Sequence, residues 1–207
     1  ALLFTSFLAH PYRNNTIGWE SDIDSVTHQD VVDFYEAHYH PANAVLAVVG
    51  DFDTAVTREK IEALFGGFSP RPATPLPHTI EPAQQGERRV VVRGTAPGKR
   101  FVIGYRAPSV NHPDFAAFLV MQEVLAGGSG VSFLQNDWGT PAKESSLLYG
   151  ATGDITTWYP PSAQDYMFMI GGSIDGPQLE QDAEQAIESR IAPLRESPPA
   201  TTRFDDA

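Results

Sequence analysis

The chain has 207 residues, 42% hydrophobic and 19% charged, with a formal net charge of −12 and no cysteine. That length supplies one large domain or two small ones with real cores, and the lack of cysteine excludes a disulfide scaffold. The basic residues fall in short pairs such as Arg88-Arg89 and Lys99-Arg100, which excludes a phosphate-binding cluster and makes nucleic acid an unexpected partner, and no apolar run approaches the roughly 20 residues that span a bilayer.

Ala1 to Ala9 is apolar but has no basic n-region, so it makes a poor signal peptide and reads as a stretch cut from something longer. Thr27 and Asp30 have the spacing of a capping box, and Val31, Phe34, Tyr35 and His38 then fall on one helical stripe that Pro41 stops. Asn43 to Phe52 reads as a strand buried on both faces. A second helix is expected from Thr54 to Phe65, with Ile61, Leu64 and Phe65 toward a core and Gly66-Gly67 ending it. Pro70, Pro72, Pro75, Pro77 and Pro82 forbid a helix and predict an extended connector.

Beyond the connector, Arg88 to Arg93 and Arg100 to Arg106 predict a hairpin turning at Gly94 to Gly98. Asp114 to Ala126 predicts a helix with Phe115, Phe118, Leu119 and Leu125 on its apolar face, closed by Gly127-Gly128. Leu148 to Thr157 and Tyr166 to Ile174 predict a strand pair, and Gly176-Pro177 opens a helix carrying Leu179, Ala183, Ile187, Ile191 and Leu194. Antiparallel pairs interleaved with helices give an α+β protein with helices over a sheet face.

Read as motifs, the same residues resemble one family. His10-Pro11-Tyr12, Thr16-Ile17-Gly18, the corner Tyr39-His40-Pro41 and the run Asn43 to Phe52 follow in order. Phe115 to Gly128, Ser132-Phe133-Leu134, Leu147-Leu148-Tyr149 and Asp165 to Pro193 continue the series. This ordered set resembles the M16 zinc metallopeptidases, the family of insulinase, pitrilysin and the processing peptidases. The resemblance implies α+β repeats, each a mixed or antiparallel sheet with helices on one face. It assigns residues 1–69 to the C-terminal half of a first repeat, 70–87 to a Pro-rich linker and 88–207 to most of a second.

Catalysis in that family uses an inverted motif, H-x-x-E-H, with a downstream Glu as third zinc ligand. Neither H-x-x-E-H nor H-E-x-x-H occurs here. By resemblance the motif lies upstream of the His10 segment, so zinc belongs to a parent protein and no metal is expected on this chain. His38 and His40, beside Glu36, lie two apart at a helix end and diverge, which makes them a structural corner. His10, His28, His78 and His112 lack partners at ligand spacing and read as surface or loop residues. Gly127 to Gly130 reads as a helix cap rather than a phosphate loop, and Trp158-Tyr159-Pro160-Pro161 reads as a loop packed on the sheet.

Tyr149 is the best candidate for substrate binding. By resemblance a Tyr here and an Arg about two helical turns upstream position the peptide and its carbonyl. The Arg position falls near Ala142 with Lys143 next to it, and a Lys supplies charge without the bidentate fork. The plainer reading of Tyr149 is a half-buried strand aromatic. Two functions follow from the resemblance: part of a zinc-dependent metalloendopeptidase that contributes structure and substrate positioning, or a non-catalytic subunit acting as scaffold for a zinc-bearing chain. An unrelated α+β binding module is a third reading. The implied partners are a peptide substrate and either the absent half-repeat or a second M16 chain, and half a repeat exposes enough apolar surface to favour self-association. Exported bacterial relatives make a periplasmic or secreted setting compatible with the resemblance.

Overall fold

A computed structural model describes residues 1–69, 72, 78–95, 98–127, 140–142, 144, 146–174 and 180–197, with Thr140 and Glu180 described by their backbone alone. In chain order the elements are α1 (Leu2–Ser6), a 3₁₀ turn at Pro11–Arg13, α2 (Glu20–Ser25), α3 (His28–His38) and a second 3₁₀ turn at Pro41–Asn43. They continue with α4 (Thr54–Phe65), β1 (Lys99–Ala107), α5 (Phe115–Ala126) and β2 (Thr140–Pro141). The last are β3 (Ile155–Trp158), β4 (Tyr166–Ile174), α6 (Glu180–Ile191) and α7 (Pro193–Glu196). The chain divides into two compact units, one of residues Phe7–Gln85 and one of Ala1–Ser6 with Gly86–Ala207.

The larger unit holds an antiparallel sheet in the order β1-β4-β3-β2. β1 pairs with β4 along its whole length, from Lys99 opposite Ile174 to Ala107 opposite Tyr166. The register puts Phe101, Ile103, Tyr105 and Ala107 on the same face as Phe168 and Ile170. α5 and α6 pack on that face, where Leu125 and Ile187 join Phe168, Ile170 and Ile155 in one buried cluster. Burying such side chains stabilises by about 1.5–3 kcal/mol each. Gly172 lets the Phe101 ring lie against the strand: a Cβ there would stand 2.6 Å from the Asp154 carbonyl oxygen and 2.9 Å from the ring. On the other face, at Gly104, the Met167 sulfur and Leu2 of α1 approach instead. The C-terminal carbonyls of α1 are satisfied by two guanidinium groups, Arg88 donating to Thr5 and Ser6 and Arg106 donating to Ser6.

Three expectations for this unit need correction. Arg88 to Arg93 forms no ladder with β1, and Val91 and Val92 are exposed; the Arg88 and Arg106 side chains both turn to the Ser6 carbonyl. The strand expected from Leu148 begins only at Ile155, because residues 147–150 form a turn. The C-terminal helix is broken after Ile191, and Pro193 opens the separate turn of α7; Gly176-Pro177 and Leu179 lie outside the described residues. The aromatic cluster does pack: Tyr159 is buried, 4.8 Å from the ring of Phe118, and its hydroxyl donates to the Pro108 carbonyl.

The smaller unit has well-capped helices and little interior. Thr27 and Asp30 form the capping box, with the Asp30 amide donating to Thr27 Oγ1 and the Asp30 carboxylate accepting from the Thr27 amide. The Thr27 hydroxyl, and then its amide, donate to that carboxylate and hold it below its ordinary pKa. Asp53 caps α4, and Gly66 ends it. The Glu81 carboxylate accepts from the amides of Leu8, Ala9 and His10 at 2.7–2.9 Å, so the connector's far end is fastened to the His10 segment. Most of the expected proline connector, residues 70, 71 and 73–77, lies outside the described residues.

Here the strand reading of Asn43 to Phe52 is overturned. Residues 44–49 join no sheet, and Val45 and Val49 are 97% and 95% exposed. A lone extended segment has no neighbour to take its amides and carbonyls, so its apolar run cannot become a buried strand. The helix faces share that fate: Val31, Phe34 and Tyr35 of the α3 stripe are exposed, as are Leu64 and Phe65 of α4, which were expected to face a core.

Candidate functional site

Tyr149 sits on the turn of residues 147–150, between α5 and β3 in the chain. The turn hangs from the end of α5: the Leu147 amide donates to the Val124 carbonyl at 3.2 Å and the Leu148 amide to the Leu125 carbonyl at 2.9 Å. These are the orphan carbonyls a helix C-terminus must place somewhere. Leu148 is fully buried in the main cluster, and Gly150 follows at φ 65°, a left-handed conformation that suits glycine. Between a buried anchor and a glycine pivot, Tyr149 is thrown outward and remains 49% exposed. It is therefore a turn residue rather than the strand aromatic of the plainer reading.

α6 supplies what the sequence reading missed. The Arg190 guanidinium donates from Nη1 to the carbonyls of Leu147 (3.1 Å) and Tyr149, and from Nη2 to the carbonyl of Gly150 at 3.3 Å. The signal available in the sequence was a lone cation in the last turn of a helix, which on its own reads only as dipole compensation.

The partner cation expected beside Tyr149 is not assembled among the described residues. Ala142 packs against the apolar cluster and donates its amide to the Ile155 carbonyl, and Lys143 lies outside the described residues. Tyr159, a second tyrosine of this unit, is not a candidate for proton chemistry near neutrality: burial, helped by the charge of Asp165, pushes its phenol up to about 12.

Among the described residues, no group of three or more His, Cys, Asp or Glu is placed to hold an ion. His38 stacks on Phe34 at 4.2 Å and bonds the Phe34 carbonyl through Nδ1, the structural role expected of it. His40 is buried with Nδ1 unpartnered, beside a groove of about 610 Å³ lined by Val31, Tyr35, Tyr39 and Phe68. His10 departs from expectation. It lies in a loop, as expected, but is only 5% exposed, accepts the Tyr12 amide at Nδ1 and meets that ring edge-on, so it is a buried cap and not a surface residue.

Comparison with known proteins gives a consistent set of relatives. The family model described as the peptidase M16 inactive domain matches residues 25–207. A zinc protease, PqqE, of Helicobacter pylori is 32% identical over 184 residues, covering 87% of this chain and 39% of that protein. Among solved structures, a protease from Helicobacter pylori superposes over 98% of this chain and 48% of its own, with a TM-score of 0.83 at 22% identity. The peptidase M16 inactive domain from Pseudomonas fluorescens aligns over 99% of this chain and 47% of its own, with a TM-score of 0.73 at 17% identity. The chain thus spans less than half the length of each of these relatives.

Proposed function

Because the chain belongs to the M16 peptidase family, we propose that it is the substrate-positioning portion of a zinc-dependent metalloendopeptidase whose metal is held elsewhere in the parent protein. The observation that carries this reading is the presentation of Tyr149, half-exposed on a turn pinned by a buried Leu148 and by two helices. A phenol held that way donates to a peptide carbonyl without first being ordered, which is how orientation and charge stabilisation lower a barrier. Lys143 is assigned the accompanying positive charge, as a point charge without a fork. Among the described residues no group of three or more His, Cys, Asp or Glu is placed to hold zinc. The domain reading is kept as part of the proposal: 1–69 the second half of one repeat, 70–87 a linker, 88–207 most of the next. On that reading the apolar surface around Val45, Val49 and α3 is covered by the rest of the first repeat.

The alternative is a non-catalytic M16-like subunit that binds and scaffolds a zinc-bearing chain. Ala142, apolar and packed at the position where the resemblance expects Arg, favours it. Two measurements decide. The reading frame upstream of Ala1 either encodes H-x-x-E-H with a downstream Glu or a repeat with that motif degraded, and the second result selects the scaffold. In the intact protein, Tyr149→Phe is expected to lower kcat/KM for a quenched-fluorescent peptide by at least about tenfold. Unchanged cleavage by that variant removes the positioning role.

A further inference from the structure

We propose that Arg190 is the positioning residue for Tyr149, acting on the backbone of its turn and not on the peptide; this rests on the reading of Tyr149 as a substrate-orienting residue. The geometry is specific. Leu147, Tyr149 and Gly150 turn their carbonyls to one side, and a single guanidinium takes all three. The planar fork suits that task, since two nitrogens present donors in fixed directions. Hydrogen bonds with a charged donor are about twice as strong as neutral ones. Arg190 projects from α6, whose Ile187 and Ala183 are buried, so the fork is delivered from a rigid element.

The two anchors divide the work. Leu148 and the α5 carbonyls fix the turn from the core side. Arg190 fixes the outer side, at the residue that carries the phenol and at Gly150, just before the chain returns to the core at Ala151, which is buried and donates its amide to the Leu148 carbonyl at 3.1 Å. Without the guanidinium, the Leu148 anchor still keeps the turn attached, but the direction of Tyr149 is no longer set. A lysine ammonium can replace Nη1 at the Leu147 and Tyr149 carbonyls but has no second nitrogen for that of Gly150, so it restores only part of the hold.

The experiment uses the intact protein with Arg190→Gln, Arg190→Lys, Tyr149→Ala and the Tyr149→Ala, Arg190→Gln double variant. It has two readouts: the Kd of fluorescein-labelled, reduced and carboxymethylated α-lactalbumin as an extended polypeptide, and amide exchange at residues 147–151. Arg190→Gln is expected to weaken binding about tenfold, as the loss of one charge-assisted set would, and to speed exchange at 147–151 by a similar factor with the rest of the chain unchanged. Arg190→Lys recovers part of both. In the Tyr149→Ala background, Arg190→Gln has no further effect on Kd, because it acts only through that phenol. Additive losses of affinity overturn the proposal, as they assign Arg190 an independent or merely structural role. Unchanged exchange at 147–151 overturns it whatever the affinity does. If Tyr149→Ala binds normally while Arg190→Gln still loosens the turn, the reading of Tyr149 fails and the Arg190 hold on the backbone stands.

Discussion

Two apolar segments of this chain have opposite fates. Tyr166 to Ile174 pairs with β1 on one side and β3 on the other, and Ile170 at its centre is completely buried. Ala44 to Val49 is as apolar, yet it pairs with nothing among the described residues and leaves Val45 and Val49 almost wholly in solvent. The helices repeat the contrast. α5 closes on the sheet through Leu125, whereas α3 shows Val31, Phe34 and Tyr35 to solvent. A strand or a helix face is a half-interaction: composition sets which surface wants burial, and a partner elsewhere decides whether burial happens.

The largest test of that contrast is a truncation in the paired region. Phe168 is 2% exposed and meets the Phe118 ring edge-on at 5.8 Å. Phe168→Ala is expected to cost about 3–5 kcal/mol, measured by urea unfolding followed through the tryptophan and tyrosine signal. A loss below about 1 kcal/mol would show that the sheet side of this unit is as loosely assembled as the smaller unit.

That difference also explains what the sequence made legible. Local signals were read correctly where local chemistry decides: the Thr27 capping box, the Gly66 and Gly127 ends of α4 and α5, and the antiparallel pair of β3 and β4 were all visible as short motifs. The failures are non-local. Arg88 to Arg93 has the composition of a strand but joins no strand among the described residues, and its first side chain reaches far along the chain to the Thr5 and Ser6 carbonyls. His10 is the exception, a local miss, since the ring that meets it edge-on belongs to Tyr12 two residues on. At the candidate site Tyr149 was legible as a motif residue. Its support from Arg190, 41 positions away, was not, since no periodicity links a helix-end cation to a turn.

A pH dependence sharpens the same comparison at intermediate size, because buried tyrosines occur in the paired unit. Tyr159 is pushed up to about 12, first by burial and then by the charge of Asp165. Tyr105 is raised by burial and by the charge of Glu188. An unfolded tyrosine loses its proton near pH 10, while native Tyr159 keeps its proton to about 12. Across that window the unfolded state binds fewer protons, so stability is full below pH 10 and falls as pH rises toward 12. Unfolding midpoints measured from pH 8 to 12 should decline across that window, and Tyr159→Phe should flatten most of the decline while leaving the share due to Tyr105. A midpoint that holds constant from pH 10 to 12 would mean that these phenols are not desolvated.

The smallest effect is expected where the surface is open, and it depends on what surrounds the chain. Val45 and Val49 have nearly all their surface in solvent, so there is almost no burial for a truncation to remove. In the isolated chain, Val45→Ala and Val49→Ala should each change unfolding free energy by no more than about 0.5 kcal/mol. In a parent protein that supplies the covering half of a repeat, the same substitutions delete buried methyl groups and should cost about 1 kcal/mol or more each. A clear loss in the isolated chain would mean that it covers this segment itself, by association between copies, and sedimentation velocity over a concentration series would show the dimer. Equal and negligible effects in both settings would mean that the segment stays open in the parent as well, and the half-repeat reading of residues 1–69 would fall with it.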